Sequence, residues 1–187
     1  MPKSLLWIGA LLLAPVIYNL DAIAGQWKFN KMCREEGGPR FYAPLEKDVG
    51  WEVEGHDPED MAQPFRFERV AFVRFQDKEN QWHDVRVDGW LGPYRRKFIF
   101  SPVAPDHPVR YRYRDFRERM TDERFGKSHR QVIDLSNGQI VASYTQISYE
   151  WTKPERMLLA APTATGCWNQ QGDFDQFFKH IFDLGSK

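Results

Sequence analysis

The chain has 187 residues, which fits one domain or one domain with an extension. Lys and Arg total 26 against 26 for Asp and Glu, a formal net charge of zero, so no bulk field drives it onto DNA or an anionic membrane and a polybasic or histone-like role is excluded. Apolar residues at 42% and aromatics at 15% make a globular composition, neither disordered nor multi-span, with ring area enough for a core.

The first element is apolar. Lys3 precedes an uncharged stretch, Leu5 to Ile17, which Asn19 and Asp21 break before Ala22-Ile23-Ala24. A short basic lead, an apolar stretch and a small-x-small site ahead of Gly25 are the parts of a cleaved export signal. A second reading keeps the segment as an anchor. Residues 4–23 number about twenty, enough to cross a hydrocarbon core of ~30 Å, with Trp27 as an interfacial ring. Lys28, Lys31 and Arg34 outnumber Lys3, so charge bias does not choose between the two. The bland alternative is a buried helix of a cytosolic protein. Either leading reading divides the chain into residues 1–24, signal peptide or membrane anchor, and residues 25–187, one extracytoplasmic domain. That domain then sits in the periplasm or on the outer face of the inner membrane.

Cysteine usage fits such a compartment. Cys33 and Cys167 are the two cysteines, an even number that suits one disulfide where thiols are oxidised, with two free thiols as the alternative. There is no CxxC, hence no thioredoxin-type pair or zinc knuckle. A bridge would close most of the domain and contribute about 4–5 kcal/mol on a loop-entropy argument.

The spacing of Phe29, Met32, Cys33 and Glu36 predicts a helix over 26–36 that stops at Gly37-Gly38-Pro39. Strands follow. Trp51 to Glu54 is a short one. Phe65, Phe67, Ala71, Val73 and Phe75 alternate with Arg66, Glu68, Val70, Phe72 and Arg74, the first set reading as the inward face. His83, Val85 and Val87 alternate with Asp84, Arg86 and Asp88 up to Gly89; Lys97 to Phe100 is another run; Val109, Tyr111 and Tyr113 alternate with Arg110, Arg112 and Arg114. Val132 to Leu135 and Ile140 to Tyr144, the latter extendable to Trp151, flank Asn137-Gly138, a pair that suits a tight primed turn. Asp173 and Gln176 form a capping box for a last helix whose Phe174, Phe177, Phe178, Ile181 and Phe182 make one apolar face, with Gly185 as its stop. Segments 55–64, 101–108 and 153–166 read as loops. The expectation is an α+β domain: six to eight mostly antiparallel strands flanked by an N-terminal and a C-terminal helix, with a Cys33–Cys167 bridge clipping the helices together beside the sheet.

Catalytic signatures are missing from the sequence. The five histidines, at 56, 83, 107, 129 and 180, show no metal spacing, and no GxSxG, GxGxxG or GxxxxGK[ST] occurs. No cofactor is expected. Glu52 and Glu54 at i, i+2 are the carboxylate pair suited to acid/base work if one is buried, and read otherwise as a solvated strand face. The local anomaly is basic and aromatic: Arg110, Arg112 and Arg114 share one strand face with tyrosines on the other, and Arg95-Arg96-Lys97 adds a second cluster. Guanidinium forks suit phosphate or carboxylate. The bland reading pairs them with Asp115, Glu118, Asp122 and Glu123.

Lys31-Met32-Cys33-Arg34-Glu35-Glu36-Gly37-Gly38, followed by Tyr42, resembles a loose group of small exported bacterial proteins of uncharacterised function. The resemblance implies export and a structural role for Cys33, and no activity. Three functional expectations follow. The first is a non-enzymatic envelope protein that presents a disulfide-clipped domain to another protein or an envelope polymer. The second is an anion-binding module using Arg110, Arg112 and Arg114 with Arg95 and Arg96. The third is a small cell-wall hydrolase whose dispersed site brings His83 or His129 to Asp84, Glu52 or Glu54. A membrane partner enters through residues 4–23 if they stay attached, and nucleic acid is not expected.

Overall fold

The computed structural model describes residues 3–54, 70–92, 95–103, 106–150, 164–167 and 170–182, with side chains of the first helix from Leu20 onward. That first helix, α1 (Lys3–Glu36), is a single run of 34 residues, about 50 Å long at 1.5 Å per residue. The helix expected over 26–36 is therefore its C-terminal part. It stops where the glycines stand: the Gly37 N–H still reaches the Cys33 carbonyl at 3.2 Å, and Gly38 takes a φ of 88°, a left-handed value that a glycine adopts without a Cβ penalty.

Nine strands follow in the described residues: β1 (Gly38–Phe41), β2 (Val49–Glu54), β3 (Val70–Gln76), β4 (Trp82–Gly92), β5 (Arg95–Pro102), β6 (Val109–Glu118), β7 (Phe125–Asp134), β8 (Gln139–Glu150) and β9 (Ala164–Gly166). The last element is α2 (Gln170–Phe182). The strands form one sheet in the order β1-β8-β7-β6-β2-β3-β4-β5, with β9 also on β8. The α+β class with helices at both ends holds. The sheet, however, is mixed. β2 runs parallel to both β6 and β3, and the other pairings are antiparallel. Parallel neighbours cannot be joined by a tight turn, so the β2–β3 connection spends residues 55–69, which lie outside the described ones along with Phe65, Phe67 and His56. Trp151 and Gly185 lie outside them too.

Three local readings change. β4 continues past Gly89 to Gly92 through two register shifts. Residues 164–166, read as loop, pair with β8. The β7–β8 connection is not a two-residue primed turn. Gly138 has a φ of 73° while Asn137 does not enter the left-handed region, and the Gly138 N–H closes on the Asp134 carbonyl at 2.7 Å. The result is a longer loop held by Asp134, whose carboxylate accepts from the Ser136 N–H at 2.8 Å and hydroxyl at 2.6 Å.

The two helices cover opposite faces. Strand side chains alternate between faces, and Val132, Ala142 and Tyr144 with Trp51, Tyr111 and Tyr113 bury the α2 face residues Phe177, Phe178, Ile181 and Phe182. On the other face Phe125, Ile147 and Tyr149 bury Phe29 and Met32 of α1. Cys33 and Cys167 are bonded, with Cα atoms 5.5 Å apart. Cys167 also donates its N–H to the Ile147 carbonyl at 3.3 Å. The bridge thus ties the end of α1 to the chain between β9 and α2, at the sheet edge rather than between facing helices. Among the described residues no helix is long and apolar enough to cross a membrane; the apolar stretch expected to do so lies mostly in 3–19, outside the described side chains.

Candidate functional site

The arginine strand is built as expected: Tyr111 and Tyr113 are buried in the core while Arg110, Arg112 and Arg114 take the other face. Their partners differ from expectation. Parallel pairing sets Glu52 beside Arg112 and Glu54 beside Arg114, giving ion pairs of 2.8 and 3.4 Å. Arg110 reaches Asp134 at 2.9 Å and Glu46 at 3.1 Å. Of the expected Asp115, Glu118, Asp122 and Glu123, the first three hold other cations. Asp115 holds Arg130 at 3.1 Å, Glu118 holds Lys127 and His129 at 3.0 and 2.9 Å, and Asp122 holds Arg124. Each of the three guanidiniums is thus faced by a carboxylate. Arg95 and Arg96 lie on β5 with side chains outside the described ones.

The dispersed acid/base set is likewise not assembled. His83 pairs with Asp77 at 2.7 Å, on the face opposite Asp84. His129 pairs with Glu118. Glu52 and Glu54 are the arginine partners just named. Among the described residues no His, Cys, Asp and Glu cluster has metal-binding geometry.

A cavity of about 660 Å³ opens at the head of β2, between the starts of β3 and β6. Its apolar wall is Val49, Phe72, Val109 and Leu135; its polar groups are Glu46, Asp48, Arg86, His107, Arg110 and Ser136. A mostly apolar concavity with a few converging polar groups is the usual build of a ligand site. Gly50 makes room for the wall, because a Cβ there would overlap the Phe72 ring. Asp48, entering β2, takes a φ of 55°, a conformation Asp tolerates better than most residues.

Strand alternation places Phe72 on the face away from the core, and it is buried nonetheless. Arg74 and Arg86 lie over its ring at 5.3 and 5.4 Å, and the His107 ring stands 5.8 Å from it. Arg74 is itself fixed by a bidentate pair with Asp84, 2.8 and 2.9 Å, and donates to the His107 carbonyl at 3.3 Å. The Asp84 carboxylate raises the Arg74 pKa further above its already high value. Asp84, on the strand face opposite Val85, is only 1% exposed; a buried carboxylate needs such a fork.

Arg86 differs from the other arginines here. It donates to Nδ1 of His107 at 2.6 Å, since a guanidinium has no acceptor atom. Arg86 is exposed, and no carboxylate pairs with it among the described residues. Arg86 lines the cavity together with Glu46 and Asp48. Sequence reasoning missed Arg86 and His107, since nothing local marks a β4 arginine that meets a residue about twenty positions on.

A second cavity of about 520 Å³ lies beyond α2, lined by Asp115, Arg117, Ser128, Arg130, Gln146 and Ser148 among others. Arg130 is engaged there by Asp115 and by Gln146 at 3.2 Å, and it stacks 4.7 Å over Phe174.

No family model and no curated protein matches the chain. Among solved structures it is similar to a PelC dodecamer from Paraburkholderia phytofirmans, at 17% identity and a TM-score of 0.30, over 78% of this chain and 90% of that one. A likeness that slight carries no argument about fold or activity.

Proposed function

We propose that the chain is a non-enzymatic, extracytoplasmic binding domain that takes an envelope polymer at the cavity heading β2. The observation that carries this reading is Arg86, an exposed guanidinium held by His107 and Phe72 with no carboxylate beside it among the described residues. Polymer units bearing both a carboxylate or phosphate and free hydroxyl or amino groups match the cavity. The acidic group meets Arg86, and the donors meet Glu46 and Asp48. The Cys33–Cys167 bond supports an oxidising compartment, and the zero net charge argues against nucleic acid.

The test has two arms. A reporter fused after Lys187 is expected to be active only outside the cytoplasm. Purified full-length protein is then titrated by calorimetry with alginate oligomers and with glycerol phosphate. One of these probes is expected to bind. Arg86→Ser should weaken that binding about tenfold or more, the worth of a charge-assisted bond. Lys97→Ser, which loses only an exposed pair with Asp88, should bind as before. Failure of both probes, or unchanged affinity in Arg86→Ser, overturns the reading.

A further inference from the structure

The boundary between apolar segment and folded body falls inside one helix, and the body uses residues from both sides of the small-x-small site. Tyr149 is fully buried, and its hydroxyl donates to the Ala22 carbonyl at 3.2 Å. Asp21 lies 3.9 Å from Arg124, which stacks 5.7 Å over the Tyr149 ring. Gly25 is buried against Tyr149 so closely that a Cβ would overlap the phenol.

Cleavage between Ala24 and Gly25 would detach the Ala22 carbonyl that accepts from the buried Tyr149 hydroxyl, and with it a net contribution of about 1 kcal/mol. It would also create an ammonium group at the buried Gly25, against the Tyr149 ring and near the Arg124 guanidinium that lies over that ring, and burying a charge is costly. A helix cut there would begin with four N–H groups lacking their partners.

The outward face of the same helix changes character along its length. Leu20, Ile23 and Trp27, at i, i+3 and i+7, are 53%, 57% and 66% exposed, on the side opposite Gly25, Phe29 and Met32. Lys31 and Arg34 continue that stripe as exposed cations. Exposed apolar side chains followed by a ring and then by cations are the order a helix shows on leaving a bilayer. The apolar stretch from Leu5 to Ile17 precedes it on the same helix.

We propose that α1 is retained whole, with Leu20, Ile23 and Trp27 in the lipid interface and Lys31 and Arg34 at the headgroup phosphates. The partner of this face is a phospholipid bilayer. The inference rests on the extracytoplasmic reading for its side of the membrane and not for the retention itself.

Intact mass of the full chain recovered from the membranes of an export-competent host decides retention. The expected mass is that of a chain beginning at Met1 or Pro2, less two hydrogens for the disulfide. A chain beginning at Gly25 overturns the proposal. Depth is read by single substitutions Leu20→Cys, Ile23→Cys and Lys31→Cys, with a membrane-impermeant maleimide applied to intact proteoliposomes. Labelling is expected at 31 and suppressed severalfold at 20 and 23; equal labelling at all three positions overturns the lipid placement. A retained chain whose Lys187 reporter works only in the cytoplasm defeats the extracytoplasmic reading alone, so the two failures are distinguishable.

Discussion

Gly50 and Gly138 lack a side chain for different reasons, and the difference is measurable. A Cβ at Gly50 would overlap the Phe72 ring, and that ring is pinned by Arg74, Arg86 and His107. Gly50→Ala is therefore expected to cost roughly 1–3 kcal/mol through overpacking and to distort the cavity wall. Gly138 has open space around it but a φ of 73°; Gly138→Ala should cost about 1 kcal/mol through backbone strain alone. Denaturant midpoints of the two variants check this ordering. Asp84 makes the third residue-scale test. Asp84→Asn leaves the Arg74 guanidinium without its charge partner in a largely water-free site, an expected loss of roughly 3 kcal/mol. The Asp84 requirement was not legible in the sequence. Strand alternation put Asp84 on the face away from the core, and only the β3–β4 register, Arg74 opposite Asp84, shows why that face is dry there.

The hairpin of β7 and β8 links element to pH. The Ser136 hydroxyl and N–H, with Arg110 nearby, hold the Asp134 carboxyl below the usual carboxylate range. His129 and then Lys127 do the same for Glu118 beside β7, and Arg124 does it for Asp122 at the entry to β7. In each case the unfolded chain binds its proton at a higher pH than the folded one. The stabilisation is complete above the ordinary range, about 4, and is lost as pH falls through the depressed folded values. Thermal midpoints should hold flat near neutrality and drop below about pH 4. Ser136→Ala should shrink the Asp134 share of that drop, and a midpoint insensitive to acid would contradict the assignment. At this scale the sequence was a good guide to existence and a poor one to geometry. Asn137-Gly138 announced a reversal, yet the Asp134 side chain, by capping the Ser136 N–H, drew the turn into a longer loop.

Across the whole molecule, the Cys33–Cys167 bond spans a sequence separation of 134. It joins the α1 face of the sheet to the segment that launches α2, which covers the other face. Loop-entropy arithmetic for a ring of that size gives about 5 kcal/mol. The Cys33→Ser, Cys167→Ser double variant is expected to unfold at a lower denaturant concentration with both helices retained, measured by circular dichroism. An unchanged midpoint would mean that the reduced chain is already confined by the sheet.

By itself the sequence determined what depends on near neighbours: the end of α1 at its glycines, the buried faces of α2 and β6, and the alternation of most strands. These follow from side-chain period and backbone preference, which act over a few residues. Tertiary structure alone decided that β2 lies parallel between β6 and β3, that Glu52 and Glu54 neutralise Arg112 and Arg114, and that Arg86 meets His107 over Phe72. Strand order and register are chosen by pairing between segments tens of residues apart, and no local pattern encodes which edge a strand will join.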